Sequence, residues 1–519
     1  MEKITYASLG SLGEEFHSQF DAALSKLTRT FGKTHSLLID GKLEKGKETF
    51  GDISPSDTRV VLGNFPLATV DDVMKAIAAA KRAYPPWRDL DWQKRVALLR
   101  RAADLMMQRQ FELAAILTLE VGKNRFEAIA EVSEAIDLIL YYAQQMENND
   151  GYNIPLVTTG AEQTRSVLKP FGVWAVVSPF NFPLALATGM AAGALLSGNT
   201  VVFKPASDTP WSGVGLATVM HDAGLPAGVF NLVTGSGAVV GETLLTNGDL
   251  DGFVFTGSRE VGLKVLRDFS ARSPKPRITE MGGKNPTIVM PSASLEDAAE
   301  GIVRSAFGMG GQKCSACSRL YAHADIYDAL AEMMVPKTKK LKIGDPRERD
   351  TFLGPLINER AVKTFNSAVQ LGRTEGRVLC GGNVLQDGAR AHGYFVEPTI
   401  IDALPQDSRM FQEEFFVPLL SMAKVHSLDE AIRLANDVEY GLTSGIFTND
   451  ETEHAQFFNE IEAGVTYCNR RGGATTGAWP GVQSFGGWKA SGSSGKSALG
   501  PYYVSQFMRE QSQTIVYKR

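Results

Sequence analysis

The chain has 519 residues, of which 44% are hydrophobic and 21% charged, so it has enough apolar area for two or three globular domains. Its 53 Lys and Arg against 58 Asp and Glu give a formal net charge of -5. A weakly acidic chain has no electrostatic footprint for nucleic acid or an anionic membrane, and we expect neither as a partner.

Cysteine usage and the first residues both bear on location. Four cysteines in a chain of this length do not make a disulfide framework, which favours a reducing compartment. The opening MEKITYASLGSLGEEFHSQF carries acidic residues and no apolar run, so neither a secretory signal nor a transit peptide is predicted. We therefore expect a cytoplasmic protein.

The first 150 residues are predicted to be mainly scaffold. Residues 1–45 form an N-terminal segment with one helix, at Glu14–Phe31. From Thr69 to Met146, apolar residues recur at intervals of three and four with charges between them, and Pro85-Pro86 follows the first such run. This spacing is typical of helices packed on a sheet or on one another, and no chemistry is assigned to them.

An uncharged stretch from Pro170 to Phe203 is long enough to suggest a membrane span. The stretch is interrupted, however, by the proline-bracketed turn SPFNFP and by Ser197-Gly198-Asn199. Strands of a buried parallel sheet are apolar on both faces. We therefore predict a strand, a loop, a helix and a second strand here.

Strands and helices alternate along the remainder of the chain. One series runs through the strands near Thr200, Phe230 and Gly252, and a second begins at Asn285 and ends at Val465–Asn469. Such alternation indicates doubly wound, mostly parallel sheets. Two successive series predict two Rossmann-like domains facing one another.

Cys314 is the candidate nucleophile. It follows the adjacent glycines Gly310 and Gly311 at the end of a predicted helix, an arrangement that presents a thiol at a cleft. A lone cysteine is more often a small buried hydrophobe. The C-x-x-C spacing to Cys317 also permits a redox pair, but the seven scattered histidines supply no further zinc ligands, so no metal is expected.

Two glycine-containing turns follow predicted strands and begin helices. They are Gly235-Ser236-Gly237 and Thr256-Gly257-Ser258, and helix N-termini of this kind bind phosphate. The glycine spacing departs from the G-x-G-x-x-G fingerprint, and tight turns need glycine in any case. Glu280, at a strand end, and Asn181, in SPFNFP, are a candidate base and a candidate amide donor, although each taken alone is more often structural.

Seven motifs, in order along the chain, resemble those of the NAD(P)-dependent aldehyde dehydrogenase superfamily. They are SPFNFP, KPASDTP, FTGSREVG, EMGGKNP, GQKCSACSR, EEFFVP and SFGGWKASG. The resemblance implies an α/β, aldehyde dehydrogenase-like fold, with two Rossmann-like α/β domains facing a shared cleft plus a β oligomerisation arm. The cofactor implied is NAD, with NADP tolerated, and the partners implied are a small-molecule aldehyde and further copies of the chain in a homodimer or larger homo-oligomer.

The resemblance also implies roles for individual residues. Cys314 would be the nucleophile, Asn181 with the Cys314 N–H the oxyanion hole, and Glu280 the base for the deacylating water. The cofactor would be held by Lys204, Ser207, Gly257, Ser258, Glu414 and Phe416. The substrate would be held by Phe182, Ser315, Gly477, Ala478 and Phe485.

The implied domain division follows the motifs. Residues 46–150 and 170–281 would bind the cofactor, and residues 282–470 would form the catalytic domain. The arm would comprise residues 151–169 and 496–519, and residues 471–495 would form the substrate anchor loop region.

Within the superfamily, GQKCSACSR and the stretch from Thr476 to Gly487 resemble the enzymes that oxidise glutamate semialdehyde in proline catabolism. Departures from their pattern are Phe180, Val417, Ser484 and a longer link at Arg471–Thr475. A broad-specificity aldehyde dehydrogenase is therefore the alternative. A cofactor-free thiol hydrolase and a silent binding protein on the same fold are two further hypotheses, which adding aldehyde and NAD would separate.

Overall fold

The structure is a computed structural model that describes residues 5–6, 13–271 and 273–517. Within these residues the α-helices are α1 Glu14–Thr28, α2 Val70–Arg88, α3 Trp92–Gln108, α4 Gln110–Val121, α5 Arg125–Asn148, α6 Ala185–Leu196, α7 Pro210–Asp222, α8 Glu242–Thr246, α9 Arg259–Asp268, α10 Leu295–Phe307, α11 Ala324–Lys339, α12 Glu359–Glu375, α13 Arg409–Gln412, α14 Leu428–Asn436 and α15 Glu451–Glu460.

The strands of the same residues are β1 Lys33–Thr34, β2 Leu37–Ile39, β3 Lys42–Glu44, β4 Thr49–Ile53, β5 Val61–Pro66, β6 Asn153–Pro155, β7 Glu162–Pro170, β8 Val173–Val177, β9 Thr200–Lys204, β10 Phe230–Leu232, β11 Gly252–Thr256, β12 Arg277–Glu280, β13 Asn285–Val289, β14 Cys317–His323, β15 Arg377–Cys380, β16 Val384–Leu385, β17 Phe395–Val396, β18 Thr399–Asp402, β19 Leu419–Val425, β20 Tyr440–Gly441, β21 Thr443–Phe447, β22 Val465–Cys468, β23 Trp488–Lys489 and β24 Met508–Val516.

The first large sheet has the strand order β12-β11-β8-β9-β10-β2-β3. Its five strands from β12 to β10 are parallel, and β2 and β3 extend it by antiparallel pairing. Chain order runs outwards from β8 in both directions, so β8 marks a topological switch point. In sheets of this kind ligands bind beyond the carboxyl ends of the strands at that point.

The second large sheet has the order β15-β18-β19-β14-β13-β21-β22, and all of its pairs except β15 with β18 are parallel. The chain passes from the carboxyl end of β12 in the first sheet, through residues 281–284, to the amino end of β13 in the second. That short connection therefore joins the carboxyl edge of one sheet to the amino edge of the other.

The uncharged block forms the predicted strand, helix and strand, as β8, α6 and β9. Every residue of α6 except Leu186 is buried, which explains its lack of charge. Within the described parts of the chain, none of the helices combines the length and apolar character needed to cross a membrane.

Two predicted helix boundaries differ in the structure. Helix α2 continues through Pro85 and Pro86 to Arg88, because Trp87 is buried and its indole N–H donates to the Leu195 carbonyl at 3.2 Å. The pattern predicts a single helix over residues 91–120, and the structure breaks it at Arg109 into α3 and α4. In the first case tertiary packing overrides the helix-breaking tendency of proline.

Strands β6, β7 and β24 form a separate three-stranded sheet. Strand β24 pairs antiparallel with all of β7, from Met508 opposite Pro170 to Val516 opposite Glu162. Each segment of the predicted arm thus contributes strands to one sheet, although β7 and β24 are more than 300 residues apart in the chain. Apolar side chains are exposed on this sheet and beside it, among them Ile154, Val157 and Val516.

Candidate active site

The loop that carries Cys314 turns back sharply after helix α10. Ser294 caps the start of that helix, and beyond its last residue the backbone of Met309, Gly310 and Gly311 takes positive φ values of 54°, 64° and 66°. A Cβ built on Gly311 would lie 2.5 Å from the Val417 carbonyl oxygen, so only glycine allows this approach. The glycines thus allow the backbone to turn here, and Cys314 is partly exposed beyond them.

Asn285 fixes the nucleophile loop from the first residue of β13. Its amide nitrogen donates to the carbonyl oxygens of Cys314, at 2.7 Å, and Ala316, at 2.9 Å. Its amide oxygen accepts from the Thr443 N–H at 3.0 Å. The sequence contained this residue within EMGGKNP, but only Glu280 was singled out from that motif.

Glu280 ends β12, the outermost strand of the first sheet, and its carbonyl accepts from the Gly257 N–H at 3.1 Å. Burial raises the pKa of its carboxyl to about 8, against which a hydrogen bond from the Ala498 backbone acts. A carboxyl with this pKa is largely protonated at neutral pH. Its ionised form becomes the major one as the pH rises past that value.

The environment of Cys314 stabilises the thiol over the thiolate. Burial raises the pKa of Cys314, and the nearby carboxyls of Glu280 and Glu414 raise it further. The adjacent Lys313 does not offset this effect, because its ammonium pairs with Glu127 at 2.7 Å. A Cys314 nucleophile would therefore have to lose its proton before it reacts.

The turn that contains Asn181 is held by a buried ion pair. Asn181 is 3% exposed, and the N–H groups of Leu184 and Ala185 that follow it donate to Glu131 at 2.9 and 3.1 Å. Glu131 pairs with Lys123 at 2.5 Å, and both side chains are completely buried. The Lys123 ammonium also lies 3.6 Å from the centre of the Phe182 ring. The pair therefore orients both the turn and the ring next to Asn181.

One cavity brings Cys314 together with all five residues predicted to bind substrate. Its lining includes Phe182, Ser315, Gly477, Ala478 and Phe485. The lining also includes six residues that the sequence analysis did not select, namely Tyr6, Glu134, Leu186, Lys313, Thr476 and Leu499. Asn181 adjoins the lining residue Phe182 in the chain, and its role as an oxyanion donor stays a prediction.

The longer link at residues 471–475 is tied to the nucleophile loop. The Thr475 hydroxyl donates to the Ser315 carbonyl at 2.7 Å, and the Thr475 N–H donates to the Ser305 hydroxyl at 3.1 Å. The Ala474 N–H donates to the Gly301 carbonyl at 3.1 Å. This departure from the expected pattern therefore fixes the anchor loop against the element that carries Cys314.

The predicted cofactor residues of the first sheet lie at the carboxyl ends of adjacent strands. Lys204 is the last residue of β9, and Gly257 and Ser258 follow β11, on either side of β8. The Ser258 hydroxyl caps helix α9 by accepting from the Val261 N–H. Ser207 is exposed, and its hydroxyl donates to the Gly235 carbonyl at 3.1 Å, so it lies against the other glycine turn.

Glu414 and Phe416 come from the segment before β19. Glu414 accepts from the Gly283 N–H at 2.8 Å, and burial raises the pKa of its carboxyl to about 7. Phe416 has a φ of 57° and packs edge-on against Phe180, with 5.8 Å between ring centres. Phe416 thus contacts the turn that holds Asn181, which links the two sheets across the cleft.

Comparison with known proteins identifies the family of this chain. Residues 43–513 match the profile of the Aldehyde dehydrogenase family. A 1-pyrroline-5-carboxylate dehydrogenase 1 of Halalkalibacterium halodurans is 38% identical over 504 residues, which cover 96% of each chain. The chain belongs to the aldehyde dehydrogenase family.

Solved structures of this family agree in fold. The 1-pyrroline-5-carboxylate dehydrogenase from Thermus with bound NAD has a TM-score of 0.93 and 36% identity, covering 97% of both chains. Betaine aldehyde dehydrogenase from Staphylococcus aureus in complex with NAD+ has a TM-score of 0.90 and 26% identity, covering 96% of this chain and 97% of that one. The predicted α/β fold and the predicted aldehyde dehydrogenase class are confirmed.

The residues at the switch point fit the dinucleotide cofactor of this family. Lys204 is buried, and burial lowers the pKa of its ammonium to about 8. Within the described part of the chain its ammonium donates one hydrogen bond, to the Pro205 carbonyl at 3.0 Å. An ammonium carries three donors, so two are available for ribose hydroxyls. The Ser258-capped helix supplies free N–H groups for a pyrophosphate.

Proposed function

We propose that this enzyme oxidises L-glutamate γ-semialdehyde, the open form of 1-pyrroline-5-carboxylate, to glutamate with NAD. The observation that carries the proposal is the composition of the Cys314 cavity. The rings of Phe182 and Phe485 line it together with the Ser315 hydroxyl and the backbone of Gly477 and Ala478. The relatives named 1-pyrroline-5-carboxylate dehydrogenase, in Halalkalibacterium halodurans and Thermus, support it.

The substrate has an apolar chain between an aldehyde and an amino acid end, and the cavity offers groups of both kinds. Ser315 is positioned beside the nucleophile, where its hydroxyl can donate to the α-carboxylate. Gly477, with a φ of 88°, lets the anchor loop backbone approach closely. The cavity also contains the carboxyl of Glu134, which complements an α-ammonium group.

The proposed reaction begins when the Cys314 thiol releases its proton to solvent and its sulfur adds to the aldehyde carbon. The alkoxide that forms accepts hydrogen bonds from the Asn181 amide and the Cys314 N–H, each worth about 3–4 kcal/mol of barrier at most. A nicotinamide held by Glu414 and Phe416 would supply the hydride acceptor, and loss of hydride from the alkoxide would leave an acyl group on Cys314 as a thioester. Glu280 then takes a proton from the water that releases the acid. Overall, aldehyde, water and NAD+ give carboxylate, reduced cofactor and two protons.

Substrate preference tests the proposal directly. A site built to bond polar groups discriminates by up to ~10⁴ against substrates that lack them, because its own groups are left unpaired. We expect kcat/KM for glutamate semialdehyde to exceed that for butanal or benzaldehyde by at least about tenfold. Equal or better turnover of the uncharged aldehydes would instead favour the broad-specificity alternative.

Cofactor preference is set beside Lys204. The family resemblance implies that NAD-selective members often carry glutamate three residues after this lysine, where the present chain has the exposed Ser207. Serine does not repel a 2′-phosphate, so NAD should work and NADP should be tolerated. We expect Ser207→Glu to lower kcat/KM for NADP by about tenfold or more and to leave NAD within about threefold. An NADP kcat/KM below roughly a thousandth of the NAD value in the unchanged enzyme would contradict this.

We also propose that β6, β7 and β24 are the arm through which copies of the chain assemble into a homodimer or larger homo-oligomer. The apolar side chains exposed at Ile154, Val157 and Val516 support the proposal. We also propose the domain division given in the sequence analysis. Strands β2 and β3, at Leu37–Ile39 and Lys42–Glu44, extend the cofactor-side sheet into the predicted N-terminal segment.

A further inference from the structure

Tyr6 lies in the N-terminal segment, to which the sequence analysis assigned no chemistry. It reaches the cavity lined by Cys314, Phe182 and Phe485, the aldehyde cavity. It lines the cavity together with Cys314, and its ring packs edge-on against Phe182 at 5.8 Å and against Trp479 at 5.7 Å. A Cβ built on Gly477 would lie 3.6 Å from Tyr6 Cβ. The Tyr6 side chain is thus in van der Waals reach of both the phenylalanine wall and the anchor loop.

The hydroxyl of Tyr6 has a defined partner in the same cavity. It donates to the carboxyl of Glu134 at 2.9 Å. Glu134 is buried, and burial raises its pKa to about 7, whereas the bond from Tyr6 acts in the opposite direction. The charged groups around this carboxyl are Glu131, Lys123 and Asp137. The Lys313 ammonium lies 5.6 Å from the centre of the Tyr6 ring.

Glu134 belongs to a row of carboxyls on one face of α5. Glu127, Glu131 and Glu134 are spaced four and three residues apart, which places them on the same side of a helix. Each is buried with a different partner, namely Lys313 beside the nucleophile, Lys123 beside Phe182, and Tyr6. Tyr6 is the member of this set that lies outside the segment matching the family, residues 43–513.

We infer that Tyr6 is a specificity-determining residue of the aldehyde cavity. Its ring limits the size of the aldehyde that fits over Cys314, and its hydroxyl orients the Glu134 carboxyl towards the bound substrate. The identity of the best substrate rests on the proposed function. The size limit does not, because it follows from the contacts of the ring alone.

The test compares Tyr6→Ala and Tyr6→Phe with the unchanged enzyme, each as the full chain. Steady-state constants are measured for propanal, hexanal, benzaldehyde and glutamate semialdehyde at saturating NAD. Tyr6→Ala should raise the ratio of kcat/KM for benzaldehyde to that for propanal by about tenfold or more, because removing the ring enlarges the cavity. Tyr6→Phe should keep that ratio within about threefold, because the ring remains.

Tyr6→Phe separately tests the hydroxyl. It should raise KM for glutamate semialdehyde by about tenfold and leave kcat within about threefold, since the chemistry at Cys314 is untouched. Its KM for propanal should not change. A purely structural role for the hydroxyl would instead lower kcat for all aldehydes together, and that result would overturn the inference.

Two controls complete the design. Tyr502→Ala removes an exposed tyrosine and should leave every constant unchanged. If Tyr6→Ala does not fold, Tyr6→Leu, which keeps an apolar side chain, should still raise the benzaldehyde to propanal ratio. An unchanged ratio in a folded Tyr6→Ala or Tyr6→Leu enzyme overturns the inference. If only the proposed function is wrong, the unchanged enzyme should turn over glutamate semialdehyde weakly. Tyr6→Ala should still raise the ratio of kcat/KM for benzaldehyde to that for propanal.

Discussion

Cys314→Ala should abolish aldehyde oxidation, with a loss of roughly 10⁴-fold or more in kcat. Alanine has no atom that can add to the aldehyde, so no covalent intermediate forms and no hydride is released. NAD affinity should stay within about threefold, because Cys314 lines the aldehyde cavity. The cofactor residues Lys204 and Ser258 lie instead at the carboxyl ends of strands β9 and β11. Steady-state kinetics and titration of NAD by calorimetry measure the two effects.

Cys317→Ala is the matched control, because it removes a thiol three residues away. Cys317 is fully buried at the start of β14, with its sulfur 3.2 Å from the Thr287 hydroxyl. We expect most of the turnover to remain and the free energy of unfolding to fall by about 1–2 kcal/mol. If a folded Cys317→Ala enzyme is as inactive as Cys314→Ala, the two cysteines act as a redox pair and the single-nucleophile mechanism is wrong.

The fold followed from the sequence because its signals are local and repeated. Alternating buried strands and helices predicted parallel sheets. Strands β8 to β12 form the parallel part of one sheet, and β13, β14, β18, β19, β21 and β22 form that of the other. The motif residues then lie where parallel sheets bring them, since Lys204, Gly257 and Glu280 all fall at carboxyl ends of strands in one sheet. The shared cleft came from the family resemblance, and strand order was not predicted, because neither is encoded in local periodicity.

The sequence analysis missed the buried carboxyls of the site, whose partners are mostly far away in the chain. Helix α5 was read as scaffold, because charges between apolar residues ordinarily mark a solvent face. Its Glu127, Glu131 and Glu134 are instead buried, and their partners lie between 8 and 186 residues away in the chain. A one-dimensional pattern cannot distinguish a solvated carboxylate from one that is paired in the interior.

The direction of the pKa shift of the Cys314 thiol could not be predicted from the sequence either. Lys313 precedes Cys314, and a neighbouring cation lowers the pKa of a thiol. In the structure that cation is engaged by Glu127, and burial with two nearby carboxyls raises the pKa of the thiol instead. The direction of the shift could be determined only once the partners of Lys313 and the positions of Glu280 and Glu414 were known.

Glu280→Gln should separate the two halves of the reaction. Glutamine has nearly the same shape but accepts no proton at neutral pH, so the thioester forms and is then hydrolysed slowly. We expect a burst of reduced cofactor of about one equivalent per active site, followed by steady turnover about 10²–10³-fold below the unchanged enzyme. Stopped-flow absorbance measures the burst, and intact mass should show the acyl group on the protein.

The acyl group can be identified by how it is released. Hydroxylamine attacks a thioester without help from a protein base, so adding it should restore cofactor reduction to the stalled Glu280→Gln enzyme. Glu414→Gln is the control, because it changes a second carboxyl near Cys314 whose pKa burial also raises, to about 7. It should weaken NAD binding without accumulating a thioester.

The pH dependence then tests Glu280 by its ionisation. Since burial raises its pKa to about 8, the carboxyl is protonated below that pH and gains its basic form as the pH rises through it. Deacylation in the unchanged enzyme should therefore rise about tenfold per pH unit below 8 and level off above it. Glu280→Gln should lose this rise. Unimpaired steady turnover in Glu280→Gln, or a pH profile identical to that of the unchanged enzyme, would assign the deacylating base to another residue.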